Sequence, residues 1–404
     1  MPQSPSQEKP SVANRVSPAR LATSLFASSF ATRGAVNARP AVAASAPGRV
    51  NLIGEHTDYN GGPVLPVALD RRTAIAARVT DRWAFASGTE DEVHEVHEVD
   101  IDAPMRQAWS DYLVGVIREL RVLRAAPPGA EMAVATNLPI GAGLSSSAAL
   151  TVAAAKALSL LAGKRLSAAA LAEVAFRAEH YQVGVRCGRM DQTIAAHGLR
   201  GSALLFETGA STIHPVPFPV RLWIMETGVS HRLTGGALND RRRECEEALA
   251  FCREWRPGLN YLAQLSVRDL PEVERRLPPP LVPRARHVIT ETARTRRAAD
   301  ALRAGDLPAL GRLLVEGHES LRSDYESTIP EADLLVRSAV HHGAYGARLT
   351  GAGWGGAVVV LAPAEREARI VAEIGTDFEK CYQRLPVTWS TRASGGVRRE
   401  TIAN

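Results

Sequence analysis

Residues 47–62 read Pro-Gly-Arg-Val-Asn-Leu-Ile-Gly-Glu-His-Thr-Asp-Tyr-Asn-Gly-Gly. Here Glu55, His56, Asp58 and Asn60 crowd carboxylate, imidazole and amide groups between glycines, without clean helical or strand periodicity. A polyhydroxylated ligand needs acceptors and donors together, and this loop supplies both; a solvated turn is the alternative. The stretch Leu138–Ala149, LPIGAGLSSSAA, is a second candidate. Gly141 and Gly143 let the backbone approach a ligand, and the free N–H groups that open the next helix favour an anion. With the hydroxyls of Ser145, Ser146 and Ser147 this makes a phosphate cradle; serine merely capping a helix is the alternative. It holds no lysine, and G-x-x-x-x-G-K-[ST] occurs nowhere in the chain. Gly351–Gly356 spells G-x-G-x-x-G, but the strand-like Ala357–Leu361 follows where the dinucleotide fingerprint requires a helix. A glycine turn between strands, bringing backbone close to a ligand or another loop, is the remaining reading.

Elements of both kinds must position these loops. Leu21, Leu25, Phe26 and Phe30 space a short helix, Thr73–Ala77 reads as a strand, Trp109–Leu123 as a helix and Met132–Ala135 as a strand. A long alanine-rich helix is expected from about Ser146 to Leu161. Pro215, Pro217 and Pro219 punctuate short strands at a plausible domain seam. Helices near 240–256, 286–304 and 308–322 then precede a strand-like ending, Gly346–Leu361. Strands and helices mixed in both halves predict an α/β or α+β protein of two domains. The expected divisions are a disordered, Ser/Pro/Gln-rich tail at 1–20, an N-terminal domain at 21–210 and a C-terminal domain at 211–404.

The 404 residues are 45% hydrophobic and 23% charged, which excludes a disordered or collagen-like chain. The formal net charge is +5, and 44 of the 48 basic residues are arginine. No basic stripe with interleaved aromatics appears, so nucleic acid is not an expected partner. Cys187, Cys245, Cys252 and Cys381 form no C-x-x-C pair, which argues against zinc or a disulfide framework. The first twenty residues lack an apolar signal core, and no run reaches the roughly 18 apolar residues of a membrane span. A cytoplasmic protein without membrane contact is expected. His94 and His97, in Glu92–Glu98, would face opposite sides of a strand and so make a poor metal site. Arg241–Arg243 with Glu244–Glu247 reads as a charged helix face.

The segments Gly48–Gly62, Pro139–Ala149 and Leu349–Gly356 together resemble the GHMP small-molecule kinases and, within them, the galactokinases. Cys187–Gln192 and Ser320–Glu326 also look like galactokinase segments, and the resemblance spans roughly residues 21 to 400. It implies a GHMP kinase fold: an N-terminal domain of the ribosomal S5 domain 2 type and a ferredoxin-like C-terminal domain, with ATP and sugar between them. The implied activity is ATP-dependent phosphorylation of the anomeric hydroxyl of galactose. Asp191 is then the candidate general base, with Arg49 beside it holding it ionised and stabilising developing charge. Glu55, His56, Asp58 and the backbone at Gly188 would grip the other sugar hydroxyls. The ATP set is Gly141, Gly143, Ser145, Ser146, Ser147 and Gly353, with Trp109 at the adenine (a core aromatic on a helix being its alternative). Mg²⁺ would be held by Ser147 and Glu179, and the implied state is a monomer or weak dimer.

Three positions depart from the galactokinase pattern. Leu238 stands where a tyrosine touching a sugar hydroxyl is usual. Ser230-His231-Arg232 replaces Arg-His-Ser, and Arg189 fills a site usually apolar. These departures leave a related sugar, an amino sugar or a cyclitol as an alternative substrate. A catalytically silent sugar sensor is a second alternative, disfavoured by the complete Ser145–Ala148 loop and by Arg49, Asp191 and Glu179.

Overall fold

A computed structural model describes residues 16–30, 39–89, 93–96, 101–139, 141–230 and 235–402. Most of the tail expected at 1–20, together with His97, His231 and Arg232, lies outside the described residues. The first layer is a six-stranded sheet in the order 398–400, 42–51, 66–79, 130–136, 83–87, 94–96. Its pairs are antiparallel except Trp83–Ser87 against Ala130–Thr136. Period-two alternation sorts the central strand Pro66–Val79 onto two faces. Ile75 and Ala77 pack with Phe85, Met132 and Val134 beneath the helices Asp111–Val122, Ser146–Leu161 and Ala168–Arg177. Ala74 and Ala76 join Ala84, Ala86, Ala133 and Ala135 on the other face, small enough to seat Phe26 and Phe30 of the helix Pro18–Phe30. That helix begins a turn before the expected Leu21, with proline at its start where the missing N–H costs nothing.

The second layer is a four-stranded antiparallel sheet in the order 346–350, 357–361, 222–226, 387–391. The helices Val282–Arg303, Leu307–Ser323, Pro330–His341 and Glu367–Tyr382 accompany it. The proline-rich segment forms a hairpin, Ser202–Glu207 with Thr212–Pro217, whose outer partner is Pro63–Val64. Arg398–Glu400 returns to pair with Val42–Asn51 in the first sheet. The expected mixture of strands and helices in both halves is what the chain adopts. One local expectation fails: Trp109 is not on a helix. Asp111 Oδ2 accepts from the backbone N–H groups of Gln107 and Ala108 at 2.7 and 3.2 Å, so the helix starts at Asp111 and Trp109 sits in the turn before it.

Phe26 and Phe30 are fully buried with ring centroids 4.9 Å apart. Truncating Phe26 to alanine should cost about 3 kcal/mol through lost transfer energy and an unfilled cavity. A urea unfolding series should show the lowered midpoint, with ligand affinity of the folded protein unchanged.

Candidate active site

The strand Val42–Asn51 carries a bulge between Pro47 and Arg49. A Cβ at Gly48 would overlap Leu138 and lie 2.6 Å from Leu144 O, so only glycine permits this approach. The bulge turns Arg49 toward the helix Met190–His197, whose first turn holds Asp191. Arg49 Nε and Nη2 donate to Asp191 Oδ1 and Oδ2 at 2.8 and 2.7 Å, and Nη1 donates to Gly143 O at 2.6 Å. Ser145 Oγ donates to Asp191 Oδ2 at 2.5 Å. A carboxylate accepts about four hydrogen bonds. Three are taken, which leaves one direction, on Oδ1, for a ligand hydroxyl.

Ser145 sits in the N-cap position of Ser146–Leu161 with φ 60 and makes no side-chain cap bond. Its hydroxyl serves Asp191 instead, which decides against serine as a mere cap. Gly141 and Gly143 both have positive φ, 77 and 72, and Ser146 and Ser147 are half-buried at the free helix N-terminus. Gly351 closes on this loop from the C-terminal half: a Cβ there would lie 3.0 Å from Gly143 O. Gly353, expected at ATP, packs against the Ser327 backbone, where a Cβ would overlap the Ser327 carbonyl oxygen. Glu179 lies in a π-helical segment, Ala178–Val183. Its Oε1 accepts from Thr151 Oγ1 at 3.0 Å and Gln192 Nε2 at 2.8 Å, and its carboxylate also hydrogen-bonds Ser147. Burial pushes Glu179 up to about 7. Trp109 faces His94 edge-on at 5.5 Å, next to a cavity of about 250 Å³ lined by Ala108 and Ser110, and its indole Nε1 is buried without a partner.

The polar loop is built by its own hydrogen bonds. Gly54 turns at φ 103, and Thr57 Oγ1 bridges Gly54 O and Pro63 O at 2.8 and 2.6 Å. Asn60 braces the His56 carbonyl at 2.8 Å, so it shapes the loop. Glu55, His56 and Asp58 instead line a cavity of about 100 Å³ together with Arg49, Asp191, Gly188 and Leu238. A Cβ at Gly188 would overlap the Asp58 carboxylate. The structure thus brings Arg49, Glu55, His56, Asp58, Gly188 and Asp191 to one cavity, with Ser145 joining it to the glycine loop.

Of the departures among the described residues, only Leu238 lines this cavity. Arg189 pairs with Glu173 and stacks over Phe176 at 4.2 Å, away from it. Ser230 Oγ lies beside Gly141, 3.1 Å from where a Cβ would stand. Arg243 keeps to the expected charged face, pairing with Asp240 and Glu247. Its neighbours turn inward: Arg241 donates to Tyr325 O at 2.8 Å, and Arg242 lies over the Tyr59 ring at 4.8 Å.

Several site residues escaped the sequence reading. Tyr59 OH shares hydrogen bonds of 2.8 Å with His56 Nδ1 and with Tyr325 OH, and Tyr325 stacks on His56 at 4.3 Å. Arg348, fully buried, pairs with Glu55. A charge in the otherwise short-range apolar strand Gly346–Thr350 was the available signal. Burial raises Glu55 to about 7 against the opposing pull of Arg348. Burial, then repulsion from Asp191, raises Asp58 to about 6. Burial and the nearby His287 and Arg348 hold His56 well below its usual range, hence neutral.

The galactokinase galactose-binding signature matches residues 28–79, and the GHMP kinase N-terminal and C-terminal domains match 111–199 and 298–380. A galactokinase of Roseiflexus sp. (strain RS-1) is 41% identical over 364 residues, covering 89% of this chain and 93% of that protein. A galactokinase of Chloroflexus aggregans is 44% identical over 342 residues, covering 82% and 87%. The crystal structure of Lactococcus lactis galactokinase complexed with galactose superposes with a TM-score of 0.87 at 29% identity, covering 93% of this chain and 98% of that one. Methanococcus jannaschii mevalonate kinase shares the fold at TM-score 0.65 and 18% identity, covering 90% and 100%.

The raised carboxylates fix a pH dependence. Each binds its proton more tightly folded than unfolded, so its contribution to stability is full below the ordinary carboxylate range and is lost as pH rises through about 6 to 7. If the ionised Glu55 and Asp58 accept from sugar hydroxyls, sugar affinity runs the other way. Calorimetric titration should show it constant near pH 8 and falling between about 7 and 6. Asp58→Asn should lower the affinity and remove the step near 6.

Proposed function

The chain belongs to the galactokinase family of GHMP kinases, and from that premise we propose how its site performs the reaction. The protein phosphorylates galactose with ATP, giving galactose 1-phosphate and ADP. The observation that carries the mechanism is the Asp191 carboxylate, held by both arms of Arg49 and by Ser145 with one acceptor direction left. The anomeric hydroxyl donates to that Oδ1 direction, and Asp191 takes its proton as the oxygen attacks the γ-phosphorus. Phosphoryl transfer depends mainly on position and charge stabilisation. Arg49 therefore serves twice, fixing the base and placing a cation beside the developing charge. Glu55 and Asp58 accept from the remaining hydroxyls, with neutral His56 and the close backbone at Gly188 completing the grip.

On the nucleotide side, Gly141, Gly143 and the N–H groups at Ser146 and Ser147 receive the phosphates, and Trp109 borders the adenine. Ser147 and Glu179 present a hydroxyl and a carboxylate in contact, oxygen donors of the kind Mg²⁺ takes. Mg²⁺ commonly takes few protein ligands and completes its shell with phosphates and water. Mg²⁺ held there would supply charge neutralisation at the phosphates, and its charge would favour the ionised form of the buried Glu179, which burial raises to about 7.

Leu238 supports a second reading on substrate range. Its apolar side chain lines the sugar cavity. A missing phenolic hydrogen bond costs on the order of 1 kcal/mol, and an apolar wall tolerates a deoxy position.

ADP release should be followed for wild type and Asp191→Ala on galactose and its deoxy analogues. Wild type should turn over galactose. Asp191→Ala should lose on the order of 10² to 10⁴ in kcat while keeping sugar affinity within a few-fold. Unchanged turnover in Asp191→Ala would overturn its role, and no turnover of galactose by wild type would overturn the activity.

A further inference from the structure

Glu55 faces the sugar cavity, yet the cation that pairs with it comes from the far half of the chain. Its carboxylate is paired with Arg348 on the strand Gly346–Thr350, and the Gly351 N–H donates to Oε1 at 3.4 Å. Arg348 is anchored on its other arm: Nη1 donates to Glu291 Oε1 at 2.8 Å, from the helix Val282–Arg303. Glu291 is itself fixed, accepting from Gly54 N at 2.8 Å and Arg294 Nε at 2.9 Å. Both Arg348 and Glu291 are fully buried.

The same helix holds the Glu55 backbone. His287 Nε2 meets Glu55 O at 3.1 Å, and its Nδ1 meets Ser320 Oγ at 2.9 Å. The neighbouring helix leaves room for the arginine, since a Cβ at Gly317 would overlap Arg348 Nη1. The polar loop Gly54–Asn60 is therefore clamped on three sides by groups that no local sequence rule requires.

The two carboxylates are not equivalent. Glu291 has two arginines and a backbone N–H, which hold it far below the usual carboxylate range although burial opposes them. Glu55 has one arginine, faces the cavity, and is raised to about 7 by burial. Glu291 thus acts as the fixed end of the pair and Glu55 as the working end.

We propose that Arg348 is a positioning residue for sugar binding: anchored on Glu291, it holds the Glu55 carboxylate charged and oriented toward the sugar hydroxyls. This rests on the reading of Glu55 as a sugar ligand. A buried ion network of purely structural use would stabilise the fold without favouring one substrate. Positioning would concentrate the effect on the sugar.

Arg348→Lys keeps one positive charge but cannot reach two carboxylates in a fork. It should raise the galactose KM roughly tenfold, the weight of one charged hydrogen bond, with the ATP KM within about twofold and the melting temperature within a few degrees of wild type. Glu55→Gln should raise the galactose KM as well, and adding Arg348→Lys to it should raise it little further. If Arg348→Lys does not fold, Glu291→Gln gives the same test, since its amide can still accept from Gly54 N. Both KM values rising together with a lowered melting temperature, or an unchanged galactose KM, would overturn the proposal. If Glu55→Gln alone leaves the galactose KM unchanged, the reading of Glu55 fails and takes the proposal with it. If Glu55→Gln raises that KM but Arg348→Lys does not, only the proposal fails.

Discussion

The two-armed ion pair between Arg49 and Asp191 is the interaction on which the rest of the site depends. It joins a strand to a helix far away in sequence, and its third nitrogen reaches the carbonyl of Gly143 in the phosphate loop. One guanidinium therefore sets the distance between the Asp191 carboxylate and the glycine loop. Lysine could not do this, because a point charge cannot serve two oxygens and a carbonyl in one plane. The surroundings are shaped to permit it: the bulge at Pro47–Arg49, the absent side chain at Gly48, and Ser145 held at φ 60.

The site also carries a standing electrostatic cost. Glu55, Asp58 and Glu179 are all raised by burial, so the folded protein holds three carboxylates that ionise less readily than they would in water. Substrate hydroxyls and a cation are what would relieve them. A site that is strained when empty and satisfied when filled is an expected trade between stability and function. The arginine-rich composition takes on meaning at a few positions, Arg49 and Arg348 above all. In the first sheet, Arg72 bonds Ser45, Gly395 and Gly396 in the same many-handed way.

Residue type and spacing made much of this legible. The helix Ser146–Leu161 and its serine entry could be read from local pattern, as could the polar loop of Glu55, His56 and Asp58. Asp191 and Arg49 could not; each is one charged residue among many, and only the family resemblance singled them out. Arg348 and Glu291 were illegible for a physical reason: a buried ion pair between residues 57 apart leaves no periodicity. Trp109 misled because Asp111 starts its helix two residues later than the apolar spacing suggested. In the C-terminal glycine loop the motif was visible, but not that Gly351 meets the phosphate loop while Gly353 packs on Ser327.

The central claim is that the carboxylate fixed by Arg49 faces the anomeric hydroxyl, so that phosphate is transferred to that oxygen. Proton–phosphorus correlation NMR of the product formed from ATP and galactose tests it most directly. The sugar phosphate signal should correlate with the anomeric proton. A correlation to any other ring proton or to the two protons at carbon 6, or no sugar phosphate at all, would contradict it.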